Sequence, residues 1–193
     1  RVADVSAKAV GVDNVYVATD DKRIGDTVEE HGYNVIYTSE ECLTGTDRVA
    51  EASLEIDADI VVNVQGDEAL LDPNDIVKAV NCKIENQNCV VTCMAKLTSS
   101  EKPEDLKTCK VVTNLDGDLM YVSRNAIPSS KTGIVKSAHK QICIYAFTKE
   151  QLKDYYDVGK RNGKTPVEAS EDIEIIRFLE MGTKVKMVEV EGG

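Results

Sequence analysis

The 193-residue sequence predicts an open α/β domain with a mostly parallel central sheet and a hairpin excursion in its second half. Three observations point there. Through the first half, short apolar runs alternate with amphipathic stretches, the order that right-handed crossovers build into a sheet. The run Asp59-Ile60-Val61-Val62-Asn63-Val64 is nearly continuous and β-branched, as in strands covered on both faces. No internal repeat, low-complexity tract or Pro/Gly-rich linker divides residues 1–193, so one domain accounts for them.

The elements follow in order. Asn14 to Thr19 reads as a buried strand, Asp21 to His31 as a helix stopped by Gly32, and Asn34 to Tyr37 as a second strand. Thr46 to Ile56 reads as a helix and Asp59 to Val64 as the strongest strand. Asn74 to about Ile84 then gives a helix after Pro73, and Cys89 to Ala95 a strand. In the second half, Cys109 to Thr113 and Leu119 to Ser123 flank an Asp116-Gly117 turn signal, which predicts a hairpin. Gln141 to Phe147 is a further strand and Lys149 to Tyr156 a short helix. Thr165-Pro166-Val167-Glu168 opens a helix with a capping box and proline at its first position. That helix is expected to run unbroken to about Met181, stop near Gly182 and lead into a strand from Lys184 to Val190.

Composition excludes several classes. The 34 acidic and 23 basic residues leave a net charge of −11, against a nucleic-acid binder, which carries a basic patch or stripe. No apolar run approaches the roughly 20 residues that cross a bilayer, and no secretory leader pattern opens the chain. A hydrophobic content of 42% excludes a disordered chain. The six cysteines show no C-x-x-C spacing, and only His31 and His139 are present to complete a Cys/His metal site. On a strand, Cys89 and Cys93 stand roughly 13 Å apart, too far to bridge. Reduced cysteines serving as small core residues, in a cytoplasmic protein, is the expectation.

Ligands of an open α/β sheet bind beyond the carboxyl ends of its strands. Two polar clusters occupy such places, Ala18-Thr19-Asp20-Asp21 and Gln65-Gly66-Asp67-Glu68. With neither Gly-x-Gly-x-x-Gly nor a Walker lysine motif present, a dinucleotide dehydrogenase or P-loop enzyme is disfavoured. Gly66 lets a ligand approach the backbone, and Asp67 offers one exposed carboxylate of the kind Mg²⁺ takes alongside water and phosphate oxygens. Read on pattern alone, Thr44 or Thr46 caps the helix that follows, Tyr145 belongs to the core, and Glu168 is the capping-box partner of Thr165.

The stretch Val62 to Glu68 resembles the hallmark segment of the CMP-Kdo synthetase (3-deoxy-manno-octulosonate cytidylyltransferase) family. Val17-Ala18-Thr19-Asp20, Thr44-Gly45-Thr46-Asp47-Arg48, Tyr121 to Pro128, Ile144-Tyr145-Ala146, and Pro166 to Gly182 resemble further family segments in the same order. The resemblance spans essentially the whole chain. It implies a Rossmann-like nucleotidyltransferase fold, usually dimeric, that transfers CMP from CTP to an acidic sugar with Mg²⁺ and releases pyrophosphate for lipopolysaccharide or capsule synthesis. By that likeness Asp67 holds Mg²⁺ and Gln65 helps orient the sugar acid. Asp20, Thr44, Gly45, Thr46, Arg48 and Gly66 line the nucleotide site, and Arg124, Gln141, Tyr145 and Glu168 face the sugar.

Departures from the family pattern bear on which sugar is used. Ala69 stands where the family has proline after Gly-Asp-Glu. Gln141 replaces a frequent histidine and Cys143 a glycine, with His139 two residues earlier on the same expected strand face. These changes make a nine-carbon or amino-substituted ulosonic acid the nearest rival substrate. A non-catalytic interaction module built on the same fold is the rival of another class. The family also carries a strand and a basic phosphate loop ahead of the position of Arg1, and a second metal carboxylate beyond Gly193. On that comparison the 193 residues alone are expected to be incomplete at both ends, to fold marginally and to transfer no CMP.

Overall fold

The structure is a computed structural model and describes residues 1–68, 70–132 and 138–191. Ala69 and the Gly192-Gly193 end, both singled out in the sequence, lie outside the described residues. In chain order the elements are α1 (Val2–Val10), β1 (Tyr16–Thr19), α2 (Lys22–Glu30), β2 (Asn34–Tyr37), α3 (Gly45–Ala52), β3 (Val61–Val64), α4 (Pro73–Glu85) and β4 (Val90–Lys96). There follow β5 (Lys110–Thr113), β6 (Leu119–Ser123), β7 (His139–Phe147), α5 (Lys149–Asn162), α6 (Pro166–Glu171), α7 (Ile175–Glu180) and β8 (Val185–Glu189). No helix among the described residues is long and apolar enough to cross a membrane.

Local chemistry explains the helix starts. Asp21 accepts from the Arg23 N–H at 2.8 Å, Asp72 caps α4 ahead of Pro73, and Thr148 with Gln151 forms a reciprocal capping box on α5. Helix α5 runs past the expected end at Tyr156 to Asn162, because Leu152, Tyr155 and Gly159 keep one face buried for two further turns.

The expected helix from Pro166 to Met181 is instead two. Asp172 takes the left-handed conformation with φ 52° and ends α6, and α7 starts at Ile175. Aspartate tolerates that conformation better than most residues, because its short side chain satisfies local groups.

The sheet corrects the expected parallel arrangement: it is mixed. Strands β1 and β2 form a parallel pair, and the other six form a sheet in the order β6-β5-β7-β4-β8, with β3 also paired to β7. Only β4 and β8 are parallel there; β7 runs antiparallel to β3, β4 and β5. The β5–β6 hairpin is the reason. A helical crossover would return the chain in the same sense, but the excursion brings it back reversed, so that β7 enters between β3 and β4.

Alternation along β7 then splits the core. Tyr145 and Phe147 point to the side covered by α5 and α7, where Phe178 stacks on Phe147 at 5.4 Å. Ile142, Ile144 and Ala146 point to the side covered by α4, with Ile76 and Ala79. All six cysteines are free thiols, as expected, with Cys89 and Cys93 buried.

Among the described residues β1 pairs only with β2, and β3 only with β7. The two strands line one cavity of about 680 Å³, walled by Val15 to Ala18 on one side and Ile60 to Gly66 on the other and floored in part by Val2, Ala3 and Ser6 of α1.

Candidate active site

A buried ion network sets the frame. Arg177 is fully buried, and its guanidinium donates to Asp47 Oδ1 at 2.7 Å and to Glu168 Oε1 at 2.7 Å, with the Tyr155 ring 3.8 Å away. One cation between two carboxylates ties α3, α6 and α7 together. Such a cluster holds geometry rather than adding stability, since burying three charges is costly.

The network engages one of the residues expected at the site. Glu168, expected to face a sugar, is 1% exposed; Oε1 is taken by Arg177, and Oε2 by Arg177 and by the N–H and hydroxyl of Thr165. The plainer capping-box reading describes it. It also lines a second cavity of about 590 Å³, with both carboxylate oxygens already engaged.

Glu174 stands beside Glu168, nearer the start of α3. Its carboxylate accepts from the N–H of Gly45 at 2.9 Å, the N–H of Thr46 at 3.1 Å and the Thr46 hydroxyl at 2.5 Å, at the N-terminus of α3. Burial raises its pKa above the usual carboxylate range, against the pull of those three donors. Reading the segment as an unbroken helix hid this residue. With the break at Asp172, Glu168 joins the ion network at the edge of one cavity and Glu174 borders two.

Two cavities meet here. The first is the 680 Å³ cavity already described, whose polar end carries Gly45, Arg48, Gln65, Gly66 and Glu174. The second, about 590 Å³, is lined by Thr44, Gln65, Asp67, Arg124, Gln141, Cys143, Tyr145 and Glu174 among others. Gln65 and Glu174 border both. The fold therefore brings most of the residues singled out in the sequence to two adjoining spaces at the end of β3.

Their individual states differ. Arg48 donates to Asp20 Oδ2 at 2.9 Å and to the Thr38 hydroxyl at 2.6 Å, so Asp20 acts on the cavity through Arg48. Thr44 caps α3 by accepting from the Asp47 N–H at 3.1 Å, and the Thr46 hydroxyl is engaged by Glu174 and Asn63. Both threonine hydroxyls are thus committed to structure. A Cβ added at Gly66 would meet no atom within 4 Å, so packing does not require glycine there.

Asp67 is exposed in the turn after β3, closed by a hydrogen bond from Glu68 N–H to Gln65 carbonyl at 3.1 Å. Among the described residues no three His, Cys, Asp or Glu side chains cluster as a ready cation cage. One exposed carboxylate on the rim of the second cavity fits Mg²⁺, which keeps several waters and takes substrate oxygens, and does not fit a dehydrated cation such as Zn²⁺.

The second cavity mixes charges, with Lys107, Arg124, Lys140 and Lys164 set among acidic side chains. Among the described residues the three side-chain hydrogen bonds of Arg124 go to main-chain carbonyls: Nε to Glu171 at 2.6 Å, Nη1 to Leu106 at 3.2 Å and Nη2 to Asp172 at 2.9 Å. Opposite, Gln141 is 8% exposed and donates through Nε2 to the Tyr145 hydroxyl at 3.3 Å. Tyr145 is buried, as the core reading expected, and its burial pushes the phenol well above its usual range. Burial likewise pushes the Cys143 thiol up to about 12, so it lines the wall as a neutral group. His139, expected on the same face as Gln141, is not among the lining residues, while Lys140, paired with Glu101 at 2.7 Å, is.

Comparison with known proteins places these features among relatives. A cytidylyltransferase family model matches residues 1–185. The chain is 40% identical over 182 residues to a 3-deoxy-manno-octulosonate cytidylyltransferase of Christiangramia forsetii, covering 92% of this chain and 71% of that protein. It is 34% identical over 192 residues to a second such protein from Hydrogenovibrio crunogenus, covering 96% and 76%. A solved structure of CMP:2-keto-3-deoxy-manno-octonic acid synthetase complexed with CTP superposes with a TM-score of 0.88 at 29% identity, covering 99% of this chain and 78% of that one. An inositol-1-phosphate CTP transferase from T. maritima shares the fold alone, at a TM-score of 0.63 and 14% identity.

Proposed function

The chain belongs to the cytidylyltransferase family as a CTP-dependent enzyme, and from that premise we propose that it transfers CMP to 3-deoxy-manno-octulosonate. In the reaction the anomeric oxygen of the sugar acid bonds to the α-phosphorus of CTP and its proton passes to water. The bond from that phosphorus to the β-phosphate bridge breaks, and pyrophosphate leaves with the electron pair. The enzyme acts as a cytoplasmic homodimer supplying lipopolysaccharide or capsule synthesis, with residues 1–193 forming one domain.

Roles follow from the two cavities. The polar end of the first, with Gly45, Arg48 and Gly66, takes the nucleotide, and Asp20 fixes Arg48 for it. Thr44 and Thr46 act there through their backbone and through the start of α3 they build. The second cavity takes the sugar acid, with Arg124 on its carboxylate and Gln141 and Tyr145 on its hydroxyls. Gln65 and Glu174, bordering both spaces, meet the two reactants where they join. Asp67 would hold a divalent metal ion, which supplies neutralisation of phosphate charge. This division of labour suits phosphoryl transfer, where positioning and charge stabilisation outweigh covalent chemistry.

The carrying observation is Arg124. Its guanidinium rests on three neutral carbonyls and pairs with no carboxylate among the described residues, which leaves its charge for an anionic sugar. Arg124→Ala is expected to raise the KM for the sugar acid while that for CTP stays nearly unchanged. The reverse pattern would move Arg124 to the nucleotide or to structure.

Gln141 favours a second reading within the same class. With its NH₂ on Tyr145, the amide oxygen is left to accept from a substrate donor, which an ammonium satisfies as well as a hydroxyl. An amino-substituted or nine-carbon ulosonic acid is the rival that a substrate panel separates.

A further inference from the structure

Arg124 is held from both sides of its own peptide unit. Its N–H donates to Glu171 Oε2 at 3.0 Å, and its carbonyl accepts from the Lys110 ammonium. The other Glu171 oxygen gathers the neighbouring strand, accepting from the Ser123 hydroxyl at 2.6 Å and the Tyr121 hydroxyl at 3.2 Å. Lys110, fully buried, donates also to the carbonyls of Asp105 at 2.7 Å and Thr108 at 2.6 Å. The side chain of Arg124 then rests on the Glu171, Asp172 and Leu106 carbonyls, two of which are turned toward it by the helix break at Asp172.

This is a costly way to tie down a loop. A buried ammonium with three neutral acceptors pays a large desolvation penalty, and an apolar side chain would fill the space at less cost. What the charged pair adds is convergence: one group holds the Arg124 N–H, the other its carbonyl.

We propose that Glu171 and Lys110 are positioning residues for the transfer, freezing Arg124 in the geometry that meets the substrate carboxylate. The proposal rests on the assignment of Arg124 to the sugar acid made above. An unbraced arginine must give up side-chain freedom when the anion arrives, which weakens binding; a braced one has lost that freedom already. The brace therefore acts on the sugar acid and not on CTP.

A double-mutant cycle in the full-length enzyme tests it, using Glu171→Gln, Arg124→Ala and the pair, with KM measured separately for the sugar acid and CTP. Glu171→Gln keeps the size of the side chain and is expected to raise the sugar-acid KM about tenfold, with CTP unaffected. In the Arg124→Ala background it should add nothing, since the residue it positions is gone. Lys110→Arg should retain most of the affinity that Lys110→Met loses. Effects of Glu171→Gln and Arg124→Ala that multiply, or a rise shared equally by both substrates, would make the brace a structural tie and overturn the proposal. An unchanged sugar-acid KM in Arg124→Ala alone would overturn the substrate assignment itself, and the brace with it.

Discussion

Asp67 has no hydrogen-bonding duty among the described residues and sits exposed at a strand end, so the fold loses little when it changes. Asp67→Asn is expected to lower Mg²⁺-supported turnover by at least about tenfold with an unchanged melting temperature. Near-normal turnover across Mg²⁺ concentrations would contradict the assignment. Arg177 is the opposite case: Arg177→Met strands the Asp47 and Glu168 carboxylates in the interior and is expected to cost about 3–5 kcal/mol in a denaturant titration. Lys83 gives a pH signature. Fully buried at the end of α4, it donates to the carbonyls of Gln87 and Cys89 and to Gln151 Oε1, yet burial pushes its ammonium from 10.5 down to about 8. Between those values the unfolded chain holds the proton more firmly than the folded one, so stability rises with pH across pH 8 to 10.5. The burial cost is fully present below about pH 8. Relative to Lys83→Met, the wild type should gain stability through that window; a constant difference between the two would contradict the shift. Which residues could be read from the sequence follows from this scale. Arg124 was singled out only by the family resemblance, whereas Gln65 and Asp67 stand out because polar residues follow a strand there. Glu174 does not, since its place depends on a helix break that only tertiary contacts make worthwhile.

That break is where element-level reasoning failed, and it makes its own prediction. Asp172 at φ 52° tolerates the left-handed conformation, whereas a β-branched side chain does not. Asp172→Val is expected to cost about 1–2 kcal/mol by thermal denaturation and also to disturb the carbonyl that holds Arg124. Gly159 in α5 makes a second. Glycine to alanine in a helix interior ordinarily stabilises by roughly 0.5–1 kcal/mol. Here the added Cβ would meet Arg177 Nη1 at 2.4 Å and Asp47 Oδ1 at 2.9 Å, groups locked in the ion network. Gly159→Ala should therefore destabilise, by about 1–3 kcal/mol. The same change at Gly25 should be tolerated, because the clash there is with the hydroxyl end of Tyr37, which is 48% exposed and can swing away. Most helices, the Thr165 capping box and the Asp116-Gly117 hairpin were readable from local chemistry, whereas α1 (Val2–Val10) was not read from the sequence. The extension of α5 and the split of α6 from α7 were not, because both depend on what those helices pack against.

At the scale of the molecule, strand patterns told which segments are extended and not which neighbours they take. A continuous apolar run such as Val61–Val64 suits any strand with two covered faces, so periodicity could not reveal that β7 enters the sheet reversed. The resulting layout is uneven. Strands β4 and β7 are buried along nearly their whole length, whereas the β1–β2 pair is half-exposed and borders the open cavity beside β3. Amides of β1 and β2 should accordingly exchange with deuterium much faster than those of β4 and β7. Equal protection in all four would mean that the two sheets unfold as one cooperative unit. The two cavities joined at Gln65 and Glu174 carry the functional reading, and pyrophosphate release tests it most directly. The full-length protein would be assayed with CTP, Mg²⁺ and a panel of eight-carbon, nine-carbon and amino-substituted ulosonic acids. The highest kcat/KM is predicted for 3-deoxy-manno-octulosonate, with loss of sugar-acid affinity in Arg124→Ala; indifference to every acid in the panel would contradict the assignment.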